Sequence, residues 1–544
     1  MISIGLTLII IPIIMKKIFF ITIVFFQTIS IIINAQTFQK AYSGRDLTTN
    51  NACIITHDNG YLMAGSGMTK TDSLGNIEWA KNYDIGVFVS DGFFNAVKQT
   101  NDSGFIATGW THSSGAGGWD IYVVRTDKYG DTIWTKTYGG SNSDEASSIE
   151  YTKDNGYIIT GLTASYGAGQ SDIYIIRINS SGDTIWTRTF GGIKDDYGES
   201  IKMTFDSNYV ITGTIAKNFY DNVFLIKINS NGDTLWTRIY GGSTYDWAKD
   251  VIETNDGGFA IIGSTVSYAV GGIVDVYFIK TDSLGYLQWS KTYGDSYGDE
   301  GYIVRQTYDN GYIIAGRMQS NNIGGEKCTP SNPCYNVYLI RTDSVGDTLW
   351  TKMYGGIDHD FAYSLEITSD SGFIITGQSG SFNVGSLPLN VYMIKTDKYG
   401  NTLCNCFPTN TIVSSPSTIT YYDSIHISSG CIVKGAHSGV GNIQYIQDSS
   451  LCANVGLPHF DFKQGKINIY PNPTTGIINI NHSGIKKDFK LSIQNILGQE
   501  IIKPKLISHN QNNLQFDLSS QPKGIYFIRL ANKDFVKVEK VVLR

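Results

Sequence analysis

The sequence has little charge, few prolines and histidines, and no recognisable catalytic or phosphate-binding motif. Charged residues make up 17% of 544, and the net charge of −6 is mild for that length. This excludes the concentrated basic surface that nucleic acid demands, so no nucleic-acid partner is expected. Eight histidines are present, and no pair of them has zinc-ligand spacing. No Gly-x-Ser-x-Gly elbow or phosphate loop stands between a strand and a helix. No cofactor and no metal is called for. Proline is scarce, with 11 copies against 59 glycines and 34 tyrosines. That balance favours strands joined by tight turns over helices. The seven cysteines are an odd number and cannot all pair within one chain.

What is present is repetition. The phrase Ile133-Trp134-Thr135-Lys136-Thr137-Tyr138-Gly139-Gly140 returns along the chain with small changes. Its tryptophans, Trp79, Trp134, Trp186, Trp236, Trp289 and Trp350, stand 55, 52, 50, 53 and 61 residues apart. A strand-built period of that length signals a propeller or similar array. One unit runs from Ile133 to Gly182. It holds the Trp strand, a run from Ala146 to Lys153, the phrase Tyr157 to Gly161, and Asp172 to Ile178. Four short strands with Asn-Gly, Ser-Gly and Gly-Asp punctuation make one antiparallel blade. The third-strand phrase starts seven times, at Tyr61, Phe105, Tyr157, Tyr209, Phe259, Tyr312 and Phe373, each with Gly four residues on.

The expected fold is therefore all-β: a seven-bladed β-propeller of four-stranded blades over residues 36–407, a linker with short strands at 408–465, and a small β-sandwich at 466–544. Phe38 to Gly44 aligns with the Trp strand, Phe38 standing for Trp, and Gly400 to Cys404 matches its approach. That is one Trp-type strand more than seven blades need. An open edge invites association, so Phe38 to Gly44 is predicted to complete the last blade. The Cys404 copy is then vestigial or leads into the linker.

Recurrence also constrains function. In the Trp strand, Trp134, Lys136 and Tyr138 share one face, which suits a blade-to-blade interface. The lysine or arginine between the rings is expected to lay its stem along them and keep its charge in water. Asp144, Asp196, Asp246, Asp299 and Asp360 follow the Gly-Gly turn, and Asp120, Asp172, Asp221 and Asp275 open the strand after the long loop. Single carboxylates spread over blades do not supply calcium's oxygen shell, so they are read as turn caps. The loops that differ between blades are the better place for a ligand. Trp119 and Tyr166 are the candidate ligand contacts there, toward glycans or other cell-surface proteins. The preferred reading is a monomeric, non-catalytic binding or scaffold module. The alternative is a secreted propeller enzyme, a glycan hydrolase or lyase or a quinoprotein-like oxidoreductase. Its only dense acidic spots are Asp195, Asp196, Asp358, His359 and Asp360. The turn Asp127 to Trp134 is similar to the repeat of quinoprotein-type propellers and, more loosely, to the sialidase Asp-box. The spacing differs from both, and the likeness is one of turn geometry.

Lys16 and Lys17, the apolar run Ile18 to Ile33 and Ala35 have the form of a secretory signal peptide over residues 1–35, with Met15 as the start. A retained membrane anchor is the other reading. Export permits disulfides, and the candidate pairs are Cys328 with Cys334, Cys404 with Cys406, and Cys431 with Cys452, while Cys53 reads as buried and free. The last stretch carries Tyr470-Pro471-Asn472-Pro473-x-x-Gly476, Asn495-x-x-Gly498-Gln499, Gly524-Ile525-Tyr526 and Lys537-Val538-x-Lys540, in that order. It resembles the type A C-terminal sorting domain of the type IX secretion system of Bacteroidetes. The resemblance implies transit through the periplasm and release from, or attachment to, the outer cell surface. It implies the secretion machinery and its sortase-like peptidase as partners. The recognition elements it implies are Pro471, Asn472, Pro473, Gly476, Gly524, Tyr526, Lys537 and Lys540. Deletion of Lys466 to Arg544 is expected to strand the passenger in the periplasm. Cell fractionation reads this directly, and surface display of the truncated chain refutes it.

Overall fold

The computed structural model describes residues 37–544 except 44–49, 84–91, 218, 272, 321–333, 383–388, 403–405, 410, 422–425, 429–431, 436–440, 443–446, 451–465, 471–473, 484–489, 496–504, 511–512 and 532–535. The signal segment, Cys328, Cys404, Cys431, Cys452, Pro471, Asn472 and Pro473 lie outside the described residues. Every regular element described is a strand. The chain divides into two units, residues 1–454 and 455–544.

The first unit holds seven five-stranded antiparallel sheets. Blade three shows how one is built. Asp144–Tyr151, Tyr157–Thr163, Asp172–Ile178 and Thr184–Gly191 follow one another as a meander. The third of these strands is buried along its whole length, as its near-continuous apolar run requires. The turn after the innermost strand is fixed by Asn155 at φ 62° and by the Thr152 hydroxyl donating to Asp154 at 2.6 Å. Arg177 from the third strand reaches back to the same carboxylate. Every blade repeats this clamp, as Lys70–Asp58, Arg125–Asp102, Lys227–Asp206, Lys280–Asp256, Arg341–Asp309 and Lys395–Asp370. Most of these aspartates are well exposed, so each pair contributes little energy and mainly sets the turn.

The innermost strands are Asn50–Ile55, Gly92–Gln99, Asp144–Tyr151, Tyr197–Met203, Asp246–Glu253, Asp299–Gln306 and Asp360–Ile367. Each touches the next, and the last touches the first. The ring is closed by the N-terminal strand Phe38–Ser43, which pairs antiparallel with Asn390–Thr396 and places Phe38 opposite Lys395. The predicted closure is what forms.

The Trp strand is the outer strand of each four-stranded meander, and its face grips the next blade. Trp134 and Lys136 close on Gly182, where an added Cβ would meet both side chains within about 3 Å. Gly182 also sits at φ 79°, which a side chain disfavours. Tyr138 donates its hydroxyl to the Gly182 carbonyl at 2.6 Å. Tyr42, Tyr83, Tyr240, Tyr293 and Tyr354 do the same to Gly75, Gly130, Gly285, Gly346 and Gly400. The intervening lysines differ from expectation. Lys81, Lys136 and Lys291 pair across the junction with Asp131, Asp183 and Asp347, because the same turn that holds the glycine carries an aspartate one residue on.

The segment read as a linker corrects the expected fold most. Cys406–Pro408, Ile412–Ser414, Ile419–Tyr421, His426–Ser428, Ile432–Gly435 and Gly441–Asn442 pair with the Trp strands of blades six, five, four, three, two and one. Gln447–Ser450 then pairs with Phe38–Ser43. The chain thus circles the ring a second time in reverse, as a belt that makes each four-stranded blade five-stranded. Strands of two to four residues in a Ser/Thr-rich stretch carry no readable period, and the edge they meet specifies them.

The second unit has two sheets. Lys466–Tyr470, Ile477–Ser483, Asn513–Asp517 and Lys505–Asn510 form one, and Lys490–Asn495, Gly524–Ala531 and Val536–Leu543 the other. Thr474 ties them, donating its N–H to Val542 and accepting from Arg544, both at 2.8 Å. Ile478, Ile480, Ile493, Ile528 and Val541 are buried, giving the expected β-sandwich its core.

Two outcomes follow from the junctions and the belt. Tyr138→Phe is expected to cost about 1 kcal/mol in urea denaturation, the worth of one buried hydrogen bond, while Gly182→Ala costs more because it also strains the turn. A chain lacking residues 405–450 is expected to associate through its uncovered blade edges, seen as high-mass species in light scattering.

Candidate functional site

The repeated acidic residues are spent on structure. Asp144 accepts from the Gly140 N–H at 2.8 Å and the Ser165 hydroxyl at 2.7 Å, tying the Gly-Gly turn to the following loop. Asp246 and Asp360 are held in the same way by Gly242 and Ser267 and by Gly356 and Ser381. Asp120 and Asp172 cap their long loops through two backbone N–H groups each. Both sets converge on one glycine per junction. A Cβ at Gly139 would come 2.3 Å from Asp120 and 2.6 Å from Asp144. Burial pushes Asp144, Asp172 and Asp246 up. Asp196, Asp275 and Asp360 rise to about 6, and Asp299 to about 8, with Asp295 and Asp275 adding like charge. Asp221 does not belong to this set. The register places Asn222 opposite Ile215, where Asp172 stands opposite Thr163, so Asp221 is one residue out.

The central channel is closed by charge. A cavity of about 150 Å³ is lined by the innermost strands of all seven blades. Lys98 pairs with Glu150 at 2.8 Å, Lys249 with Glu199 at 2.6 Å, and Arg305 with Asp250 at 2.9 Å and Glu366 at 2.7 Å. Each pair bridges neighbouring blades. Burial opposes ionisation of Asp250, yet Lys202 and Arg305 hold it below the usual carboxylate range. Four cations, Lys98, Lys202, Lys249 and Arg305, meet four anions, Glu150, Glu199, Asp250 and Glu366, so the channel carries no excess charge for a ligand. Cys53 also lines it, but burial pushes that thiol far up, which removes it as a nucleophile.

Above this plug the blades stop being equal. At the position after Asp144 and its counterparts in the other blades, the chain has Phe93, Glu145, Tyr197, Trp247, Glu300 and Phe361, none of them fully buried. In blade two Phe93 packs on Trp110 at 5.1 Å, and Trp110 stacks on Trp119 at 4.9 Å. Trp119 is 40% exposed, as a ligand contact requires. Between blades four and five, Tyr220, Tyr245 and Trp247 adjoin, and the Trp247 indole donates to Asp221 at 3.1 Å. Between blades six and seven, Tyr302, Tyr335 and Phe361 surround the Arg317 guanidinium, which pairs with Glu300. The aromatic rim at blades four to seven was missed because its members come from different strands; the signal was the inequality at one strand position.

Tyr166, the other expected ligand contact, is half-buried and also ties its loop to the Trp strand. Its hydroxyl donates to the Gly139 carbonyl at 2.9 Å, and Tyr268 repeats the bond to Gly241. Cys334 is disulfide-bonded. Its sulfur, Asp358 and His359 lie within 4.8 Å of one another, but His359 Nδ1 already accepts the Tyr335 N–H at 3.2 Å, so the trio offers no ready ligand set. Cys406 opens the belt in a strand. Asp195, Asp196, Asp358, His359 and Asp360 form no catalytic grouping, since Asp196 and Asp360 hold turns.

In the second unit, Gly476 sits at φ 155° with no room for a Cβ beside Ser519. Tyr526 is buried and donates to the Pro522 carbonyl at 2.5 Å, at the start of the Gly524–Ala531 strand. Lys537 and Lys540 lie in the last strand, paired opposite Leu530 and Phe527. The sequence profile described as "Secretion system C-terminal sorting domain" matches residues 468–544. The chain carries a type IX secretion sorting domain. That domain indicates export to the cell surface or extracellular space, and an encounter with the type IX machinery. A search of curated proteins finds no match. Among solved structures, a protein of unknown function from Bacteroides caccae is 9% identical over 47% of this chain and 93% of its own, with a TM-score of 0.30. Sqt1 from Chaetomium thermophilum is 10% identical over 65% and 87%, at 0.36. A putative oxidoreductase (glucose dehydrogenase) from Thermus thermophilus is 12% identical over 66% and 100%, at 0.30. Likenesses this distant carry no functional argument.

The buried junction carboxyls give a pH dependence. Their folded pKa lies above the unfolded value of about 4, so the folded state holds more protons and stability falls as pH rises from about 4 through 8. Asp299→Asn is expected to flatten the upper part of that fall, compared by urea denaturation at pH 6 and pH 8.

Proposed function

We propose that the sorting domain delivers a non-catalytic binding module to the outside of the cell, and that the module takes its ligand at the channel mouth. One observation carries this reading. Wherever a residue recurs in the blades it serves a turn, a junction or a belt edge, and the mouth is where side chains differ from blade to blade while staying accessible. The Phe93–Trp110–Trp119 stack offers apolar ring surface, and Glu145 holds the position matching Phe93 in the next blade, where burial with the nearby Glu199 charge pushes its carboxyl up. Rings next to polar acceptors suit glycans and the exposed side chains of surface proteins. The chemistry of a hydrolase is not supported, since the carboxylates of known partnership hold turns or ion pairs. A monomer is consistent with blade edges that the belt already covers.

The test is a binding screen of the secreted chain against glycans and cell-surface proteins. Trp119→Ala is expected to weaken a hit by about tenfold, the worth of one aromatic contact, with thermal stability unchanged. Turnover of a screened compound that a single mouth substitution abolishes would sink the non-catalytic reading.

A further inference from the structure

The corner between blades six and seven is a worked example of what this mouth can hold. Arg317 lies opposite Glu300 in the sheet, and Tyr335 lies opposite Gln319 two residues beyond. Its guanidinium sits 4.3 Å from the Tyr335 ring, 5.6 Å from Phe361 and 5.8 Å from Tyr302, with the Glu300 carboxylate completing the charge balance. A guanidinium held by rings and one carboxylate is a stable arrangement when partly desolvated.

The corner between blades four and five has the same register with different occupants. Thr214 stands opposite Tyr197 where Arg317 stands opposite Glu300. Asp221 stands opposite Ala216 where Tyr335 stands opposite Gln319. Trp247 and Tyr245 take the places of Phe361 and His359. The ingredients are therefore conserved in kind and exchanged in position: rings and a carboxylate remain, and a short threonine replaces the arginine. Tyr220 and Tyr245 meet edge to face at 5.2 Å and 90°, forming two walls, and both are about 40% exposed. Trp247 lies parallel to Tyr245, within 10°, and its indole orients Asp221. Among the described residues Asp221 has no ion-pair partner. Of the cations nearby, Lys249 pairs with Glu199 at 2.6 Å, Lys194 lies 5.2 Å from the Phe219 ring, and Lys217 stands opposite Tyr220 in the sheet. Asp195 and Glu145 add negative charge around Tyr197.

We propose that this corner, framed by Tyr220, Tyr245, Trp247 and Asp221, binds an organic cation of the guanidinium or alkylammonium type. Either a small molecule or an arginine or lysine side chain of a partner protein supplies that chemistry. The inference rests on the mouth-binding reading and narrows it to a ligand class, excluding acidic polymers from this corner.

Calorimetric titration of the full chain tests it, with N-acetyl-arginine amide, tetramethylammonium, an arginine-rich peptide and a neutral oligosaccharide as probes. Saturable binding of the cationic probes is expected, weakened by added salt. Tighter binding of the peptide assigns the source to a protein, and equal binding of the small cations to a free ligand. Asp221→Asn is expected to weaken the cations by about tenfold, as loss of one charge contact beside a ring does. Thr214→Arg, which supplies an internal guanidinium at the Arg317 position, is expected to block them. Trp247→Phe should retain most binding, which separates loss of the ring from loss of the fold. Equal affinity in wild type and Asp221→Asn overturns the proposal. A wild type that binds the oligosaccharide through Trp119 and ignores every cation also overturns it, and leaves the mouth-binding reading standing. Binding of no probe at the mouth counts against both.

Discussion

Each blade is held to the next by the same grip, in which a large ring (an indole, or Phe38 in the closing strand), a cationic stem and, at six junctions, a tyrosine hydroxyl on one strand face close on a left-handed glycine turn. The contact combines ring burial, a hydrogen bond to a carbonyl that the turn leaves pointing outward, and, at several junctions, an ion pair. In a repeat architecture stability is approximately the sum of units and nearest-neighbour interfaces, so this contact, repeated around the ring, is the term on which closure depends. Blade three shows which part is dispensable. Phe190 stands there for tyrosine, and Trp186 still packs on Gly232, so ring burial carries the junction and the hydroxyl adds to it.

Closure is reinforced from both ends of the first unit. The N-terminal strand lies between Asn390–Thr396 and the final belt strand, so the first and last strands of the unit share one sheet. Pairing residues so far apart in sequence carries a high loop-closure cost before any reward. The belt offsets that cost with backbone bonds at every blade. It also covers edges that would otherwise template pairing with another chain.

Because junctions, turns and edges absorb the repeated residues, chemistry is left to positions where the repeat fails. The channel is neutral and plugged by inter-blade ion pairs, whose value lies more in fixing the mutual register of the innermost strands than in net stability. Above it, the mouth pairs aromatic rings with carboxylates. In one corner the molecule supplies its own cation, Arg317, and in another it leaves Asp221 beside the rings without one.

The blade and its repetition were legible along the chain. Strand alternation, turn residues such as Asn155 and Gly182, and the spacing of the Trp and Tyr/Phe phrases are local signals, and Phe38 could be matched to Trp134 without any coordinates. The sorting domain was equally legible, because the phrases that mark it are short and follow one another in order along the chain. Trp119 and Tyr166 could be picked out as loop aromatics, but the bond from the Tyr166 hydroxyl to Gly139 could not, because its acceptor comes from the preceding Trp strand. The belt, the one-residue offset of Asp221 and the meeting of Arg317 with rings from two blades emerged only with the fold. Those features depend on which strands become neighbours once the ring has closed, and a period read along the chain holds no information about contacts made across it.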